Sequence, residues 1–523
     1  MNPPQFLTFW RTVIFYLYAF LFFEIISAQE TDTSIIISHF QYPVNEGIPI
    51  ILDETGENSY FLNYRIPEFL TDGSINQIKL DGSLGLPLGS YFLPNLLPKS
   101  FLSDSMSNYS QIYYRKGDYD YSDLGIGLQI ESSDSGLFSF QGFKRAPPRL
   151  YLSSSDNNQL QNYLFSYGKE SENSNVAVSA LYHIENYDQP VNLENTNRKV
   201  ESFHGGAGVT QYWDKLSLNL NPAFQFTNSN RWGSKMSHLT LWNKFKGEFH
   251  FQESFSLILD HNYKMLFTEF NNETTESYFQ INSPSFKYSN DRIILQAGAA
   301  AYNSTITPVG LAGWKWNDFY MSVGKQFEVV LIPTESLKTE MIPYLTQVVN
   351  AGYKNDFFML NAELFQIMYE EESNMGVRGE ANINVSWLSL RQTAGIYNIE
   401  SGTSHTQPVD MFSHTNLIFS PNVWRWKTAR YQPFIGVEST YIQHSGKMGI
   451  DPMSWAIFSV EEIDPYSSYL LNMEIGFLVN QFKVSYRWVK FNVLDTNVQN
   501  SSNPDYYSIL PLRHFEVVWQ FWN

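Results

Sequence analysis

Residues 216 to 227 have the sequence Leu-Ser-Leu-Asn-Leu-Asn-Pro-Ala-Phe-Gln-Phe-Thr, in which apolar residues alternate with polar or small ones. Successive side chains of an extended strand point to opposite faces. One face of such a strand, from Leu216 to Phe226, is therefore apolar. The other face, from Ser217 to Thr227, consists of polar or small residues and suits contact with water. A helix would mix the two sets around its circumference, because its period is 3.6 residues. The stretch predicts a long β-strand between an apolar and an aqueous environment.

The same alternation recurs along the chain, for instance in residues 124–131, 377–386 and 471–479. The last of these is followed by Asn480-Gln481 and a second alternating run that starts at Phe482, which predicts a hairpin. Short connections alternate with longer polar ones, among them residues 228–236, 264–276 and 303–309. The eleven longer ones predict about 22 strands, within a range of 18 to 22. This pattern is typical of an all-β, antiparallel up-and-down transmembrane β-barrel.

The N-terminus and the composition indicate which membrane such a barrel occupies. Arg11 precedes an apolar run over residues 12–23 that closes on Ile26-Ser27-Ala28, so we expect residues 1–28 to be a secretory signal peptide. After Ala28 no run of 18 apolar residues occurs, which excludes a helical membrane protein. Aromatic residues make up 16% of the chain, and barrels of the outer membrane use them in two interfacial girdles. We therefore expect residues 107–523 to form a barrel in the cell outer membrane, in contact with its lipids.

Charge and the reactive residue types argue against several other functions. The formal net charge is -18, which disfavours nucleic acid as a partner. The chain has no cysteine, and its ten histidines show no paired ligand spacing, so we propose no metal site and no cofactor. Asp118, Asp120 and Asp123 have spacing similar to that of a calcium loop, but they lack its glycine and distal glutamate and indicate a solvated acidic loop. No nucleophile with its base is found, so we expect no catalytic residues and no enzyme.

The end of the chain carries the most specific pattern. Phe515, Val517, Trp519 and Phe521 share one face of the predicted final strand, opposite His514, Glu516 and Gln520. A terminal amphipathic strand rich in aromatic residues is similar to the signal that the barrel-assembly machinery recognises. We expect that machinery to be a partner of this chain.

Residues 507–515, with Pro511 and Arg513 before the aromatic strand, resemble the closing strand of TonB-dependent receptor barrels. The segments 46–50, 64–67 and 75–82 resemble the second half of the receptor plug, and residues 109–115 resemble openings of related porin-type barrels. A stretch just after the signal resembles a TonB box and consists of Thr33, Ser34, Ile35, Ile36 and Ile37. The resemblance implies 22 strands, TonB as a possible partner, and a reduced plug-like segment at residues 29–106.

We expect residues 29–106 to lie inside the lumen, because irregular backbone at membrane depth needs polar partners around it. The predicted wet faces offer such partners through Arg378, Glu380, Asn382 and Glu474. The expected function is passage or uptake of an unidentified small solute through a receptor-like or porin-like barrel. Two alternatives stay open: a surface binding or adhesion barrel with a closed lumen and, with less support, an outer-membrane barrel enzyme.

Overall fold

The structure is a computed structural model, and its described residues form strands and the tight turns between them. The predicted signal peptide, the TonB-box-like residues 33–37 and most of the plug-like segment lie outside the described residues. From residues 29–106 the structure describes one two-stranded sheet, formed by β1 (Ile51–Leu52) and β2 (Asn58–Ser59). The described ranges are 51–52, 58–59, 109–118, 122–131, 136–146, 159–171, 173–188, 197–231, 234–252, 254–270, 273–333, 339–355, 357–369, 372–385, 387–396, 409–421, 424–426, 429–444, 448–450, 457–459, 466–480, 482–489 and 512–522.

The strands after residue 108 pair antiparallel with their neighbours along the chain. The first half comprises β3 (Tyr109–Gly117), β4 (Ser122–Glu131), β5 (Gly136–Ala146), β6 (Gln159–Glu170), β7 (Ser174–Asp188), β8 (Asn197–Tyr212), β9 (Leu216–Arg231), β10 (Ser234–Gln252), β11 (Phe255–Phe270), β12 (Glu273–Ser289), β13 (Ile293–Tyr302) and β14 (Thr305–Trp316). The second half comprises β15 (Phe319–Pro333), β16 (Thr339–Lys354), β17 (Phe358–Tyr369), β18 (Glu372–Val385), β19 (Leu388–Ile396), β20 (Val409–Phe419), β21 (Trp424–Trp426), β22 (Ala429–His444), β23 (Met448–Ile450), β24 (Ile457–Ser459), β25 (Tyr466–Val479), β26 (Phe482–Val489) and β27 (Leu512–Trp522). Among these described residues no helix has the length and apolar character needed to cross a membrane.

The sheet closes into a barrel where β27 pairs with β3. The closed barrel contains twenty-three strands, and the short β21 pairs with β22 beyond the stretch that pairs with β20. β20 and β21 therefore share one position, which leaves twenty-two positions around the wall. β23 and β24 form a separate small hairpin. The predicted fold class and strand number are confirmed.

Strict alternation of side chains divides the wall into two faces. On β3 and β4 the side chains of Ile112, Tyr114, Leu124 and Ile126 are 43 to 54% exposed, whereas Tyr113 between them is 6% exposed. The residues of β9 that the sequence predicted to be apolar, such as Leu220 and Phe224, are exposed in the same way. A large apolar surface on the outside of a closed sheet is stable in lipid rather than in water.

The turns at one end of the barrel are short and carry an aromatic belt. Asn317 and Asn480 adopt positive φ in two of these turns, which Asn tolerates better than most residues. Aromatic pairs lie within a few residues of the turns; they are Trp314 with Trp316, Phe319 with Tyr353, Phe255 with Tyr288, and Trp387 with Phe419. Such a belt marks one membrane–water interface.

The strands extend further at the opposite end than the sequence predicted. Residues 228–236 and 264–276 were expected to be outer loops, but β9 ends at Arg231 and β11 ends at Phe270. The expected loop 303–309 is a two-residue turn that contains Asn303 at a φ of 51°. Beyond the membrane both faces of a strand are in contact with water. The alternation of apolar and polar residues therefore ends there, although the hydrogen bonds between the strands continue.

Candidate functional site on the inner wall

Charged side chains gather on the inner face where the barrel closes, on β22, β25, β26, β27 and β3. The strand register brings them together, because Glu474 lies opposite Arg487 and Glu516 lies opposite both Ser485 and Arg115. We call this set the seam network; its charged members are Arg115, Glu438, Glu474, Lys483, Arg487 and Glu516. It joins the first strand of the barrel to the last four.

Glu516 is the centre of one half of the seam network and is 4% exposed. Its carboxylate accepts hydrogen bonds from Arg115 Nε and from Lys483 Nζ, the latter at 2.6 Å. Lys483 Nζ also lies 2.7 Å from Glu474 Oε1 and 5.4 Å from the ring centre of Phe434. Buried charges cost free energy unless they are paired, and here each carboxylate faces a cation.

Glu438 is the centre of the other half. Arg487 donates to its Oε2, and Asn472 Nδ2 donates to the same oxygen at 3.2 Å. His414 Nε2 lies 3.9 Å from Glu438 Oε1. These contacts connect β20, β22, β25 and β26, so the network extends across the inner wall without a break in strand order.

Three cations and three carboxylates make the seam network close to neutral. A neutral, hydrogen-bonding wall does not select strongly for one sign of charge by its net field. It offers donors and acceptors side by side, which suits water or irregular polypeptide backbone. The site is therefore suited to lining the lumen and binding polar groups rather than to proton transfer.

Two further polar groups lie on the same inner face. Glu248 accepts from Ser256 Oγ at 2.7 Å and from Lys287 Nζ at 3.3 Å. On β18 and β19, Glu380 Oε1 lies 3.4 Å from Arg391 Nε. The predicted placement of Glu380, Asn382 and Glu474 on the inner, wet face agrees with this geometry.

The predicted assembly strand has the expected orientation. Phe515 and Trp519 are 43% and 51% exposed on the outer face of β27, and Val517 lies between them. The ring centres of Trp519 and Phe521 are 4.5 Å apart, and Trp519 also contacts Phe482 of β26. Glu516 and His514 of the same strand are buried on the inner face. The TonB-box-like residues 33–37 lie outside the described residues.

Sequence reasoning did not identify the cations that complete the seam network. Arg115, Lys483 and Arg487 were quoted at most as members of strands, although Glu516 on the wet face of the closing strand was a signal that partners were needed. Asp118, considered for calcium, accepts from Arg513 Nε at 2.9 Å at the top of the seam. Within the part of the chain that the structure describes, no group of three or more His, Asp or Glu is placed to hold a metal ion.

Comparison with known proteins gives a likeness in structure. No protein-family model and no curated protein sequence matches the chain. The FrpB iron transporter from Neisseria meningitidis (F5-1 variant, apoprotein) superposes with a TM-score of 0.60 at 9% identity, covering 80% of this chain and 82% of that one. The ferric yersiniabactin uptake receptor FyuA from Yersinia pestis gives 0.53 at 10% identity, covering 80% and 81%. The copper transporter OprC gives 0.53 at 9% identity, covering 80% and 83%.

These neighbours are TonB-dependent outer-membrane receptors. The chain has their barrel fold. In this barrel the seam network lies on the inner wall, and the aromatic belt lies on the outer wall. The candidate site is therefore the charged inner wall of the barrel.

Proposed function

We propose that this protein is an outer-membrane receptor-type barrel that takes up a small solute from outside the cell. The observation that carries the proposal is the division of a closed, twenty-two-position wall into an exposed apolar exterior and a charge-paired interior. Charged side chains on the inside of a wide barrel require an interior that holds water, a plug or a passing solute. Its likeness to iron, siderophore and copper receptors supports uptake as the task, and the solute is unspecified.

The lumen of a barrel this wide would leak unless something closed it. We propose that residues 29–106 form a reduced plug in the lumen and that residues 1–28 are the export signal. Irregular backbone in the lumen would find donors and acceptors on the inner wall, including Glu474 and Glu380. The barrel would then admit its solute only when the segment moves.

Movement of a plug needs energy, and we propose that TonB supplies it by binding residues 33–37 in the periplasm. The test is binding of the purified periplasmic domain of TonB to the full chain, measured by calorimetry. We expect an Ile35→Pro variant to lose binding, because proline cannot join a strand pair in mid-strand. An Ile51→Pro variant is the matched control and should bind normally. Equal binding by the full chain and the Ile35→Pro variant would remove residues 33–37 from the proposal.

The placement itself is tested by fractionation. We expect the protein in the outer-membrane fraction, with faster gel migration before heating than after it, as folded barrels show. Recovery in a soluble fraction would contradict uptake as well as the alternative of a surface adhesion barrel.

A further inference from the structure

The described ladder between β14 and β15 is incomplete. The hairpin β13–β14 is short, with strands of 10 and 12 residues, whereas β12 and β15 on either side have 17 and 15. β14 pairs with β15 from Gly310 to Trp316, and no described residue from Thr305 to Val309 pairs with β15. Above Lys325, the described ladder of β15 continues with β16 alone. The edge of β14 also contains Pro308, which has no N–H to donate.

Side chains rather than backbone hydrogen bonds close this gap. Alternation places Tyr302 on the inner face, where it is 7% exposed, and places Phe327 on the outer face with Met321 and Val323. Even so, the ring centres of Tyr302 and Phe327 are 6.0 Å apart. A residue of the inner face thus contacts a residue of the outer face across a missing strand pair. Tyr302 forms a buried cluster with Ile281 and Ala300, and Val309 and Phe327 pack against that cluster.

Such a contact is the easiest part of the wall to open. Separating two paired strands in hydrocarbon leaves backbone groups without partners, at a cost of several kcal/mol for each group. Separating Tyr302 from Phe327 breaks no backbone pairing, and the opened surface is apolar on both sides. An apolar solute that enters the gap would replace the lost contacts.

The outer surface of the wall is concave next to the gap, on the side toward the short turns. A cavity of about 1150 Å³ lies against small side chains of the hairpin, among them Ala297, Gly310 and Ala312, and is bordered by Phe286 and Val323. Its size is slightly above the usual range for pockets that bind small molecules. The lining is apolar except for a few groups, so it suits a hydrocarbon chain.

Two lysines line this cavity, and one of them, Lys287, is paired with Glu248. Lys325 lies opposite Gly310 on the outer face, six residues above the turn that carries the aromatic belt, so it is about 15 Å into the apolar band. A lysine on the lipid-facing side of a barrel at such a depth costs about 2–4 kcal/mol. No ion pair to Lys325 is found among the described residues. An anionic group on the solute would offset that cost.

We propose that the gap between β14 and β15 is a side opening through which an amphiphile passes between the lumen and the membrane. The amphiphile has an acyl-type tail, held by the cavity, and an anionic head, held by Lys325. The inference rests on the proposed uptake function, because it names the class of solute and its exit from the lumen.

The test uses the absence of native cysteine. A Tyr302→Cys, Phe327→Cys double variant is linked across the gap by a short reducible dithiol-reactive reagent, in cells that have lost their own fatty-acid channel. We expect the unlinked protein to raise uptake of radiolabelled oleate above the empty-vector level. Linking should abolish that gain, and reduction should restore it. The matched control is Val176→Cys with Val209→Cys, whose positions face each other across the continuously paired strands β7 and β8; linking there should change nothing.

A second variant tests the head group. Lys325→Met should lower oleate uptake and leave uptake of oleyl alcohol, which has no charge, unchanged. Heat-modifiable migration confirms that every variant has folded. Oleate uptake that is equal with and without the link would overturn the side opening, as would no gain over the empty vector. TonB binding is measured on the same samples and reports on the proposed function alone. A failure of the proposed function is therefore distinguished from a failure of the side opening.

Discussion

At the scale of single residues, the stability of the barrel closure depends on Glu516. It is the anion that holds Arg115 of the first barrel strand and Lys483 of β26 at once. Removing one partner of a buried ion pair leaves an uncompensated charge. This lowers stability far more than replacing both partners by apolar residues does. The exposed pair of Arg513 with Asp118 lies on the same seam but in water.

We expect Glu516→Ala to lower the free energy of unfolding by about 3–5 kcal/mol, because Arg115 and Lys483 each lose a buried carboxylate. The matched control is Arg513→Ala, whose side chain is 57% exposed and which should change stability by less than about 1 kcal/mol. Urea titrations of protein refolded into lipid vesicles, followed by tryptophan fluorescence, measure both values. Similar losses for the two variants would show that burial at the seam has no special role.

Glycine on the inner wall makes space for aromatic rings. A Cβ on Gly125 would lie 2.0 Å from the Tyr113 ring, and that ring lies 5.8 Å from the Arg115 guanidinium. At Gly436, on the same inner face, the nearest atom to an added Cβ is Glu474 Cβ at 3.7 Å. The two glycines therefore differ in the space that is available for an added side chain.

We expect Gly125→Ala to cost about 1–3 kcal/mol of stability, because the Tyr113 ring has to move. Gly436→Ala should be neutral or stabilising by a few tenths to about 1 kcal/mol, since alanine reduces the freedom of the unfolded chain. The same urea titration compares them. A Gly125→Ala variant as stable as Gly436→Ala would contradict the packing that the structure shows.

At the scale of elements, β27 closes the sheet and places its aromatic residues at different depths. Trp519 pairs with Phe482 next to a short turn, so it belongs to the belt at that end of the barrel. Phe515 pairs with Tyr486, four residues further from the turn, which puts it about 10 Å deeper in the apolar band. Phe521 lies on the other side of Trp519, near the end of the strand.

We expect Phe515→Arg to destabilise the barrel in lipid vesicles by about 2–4 kcal/mol, because arginine is costly near the middle of the apolar band. Phe521→Arg, the same exchange on the same face, should cost clearly less, since a charge near the interface costs only about 0–1 kcal/mol. Refolding without the assembly machinery separates this depth effect from recognition of the closing strand. If both variants lose the same stability, the assignment of depth along β27 is wrong.

At the scale of the whole molecule, the question is what fills the barrel. The wall has twenty-two positions and a charge-paired interior, and residues 29–106 precede it in the chain. Large barrels either conduct water or are closed from inside. Conductance of a single molecule in a planar bilayer is therefore the direct measure of whether the segment is in the lumen.

We expect deletion of residues 30–100 to raise the single-channel conductance sharply and to leave the barrel assembled, as judged by heat-modifiable migration. The intact protein should conduct little. Deletion of residues 451–456, between β23 and β24, is a control that leaves the lumen segment in place. A truncated protein that conducts no more than the intact one places the segment outside the pore.

The local sequence was sufficient to predict the strands and their number. Alternation from Leu216 to Phe226 is a property of a dozen neighbouring residues, and each tight turn, such as the one at Asn480, is encoded within a few positions. Lipid on one side and water on the other impose the period of two, so the fold class follows from the pattern without knowledge of any distant contact.

The site depended on the tertiary structure, because it is built from residues far apart in the chain. Arg115 and Glu516 meet only when the barrel closes, and no local pattern links positions 401 residues apart. The contact of Tyr302 with Phe327 arises from a ladder that stops at Gly310, and the sequence there continues to look like a strand. Periodicity determines which face each side chain occupies; register and closure determine which side chains become neighbours.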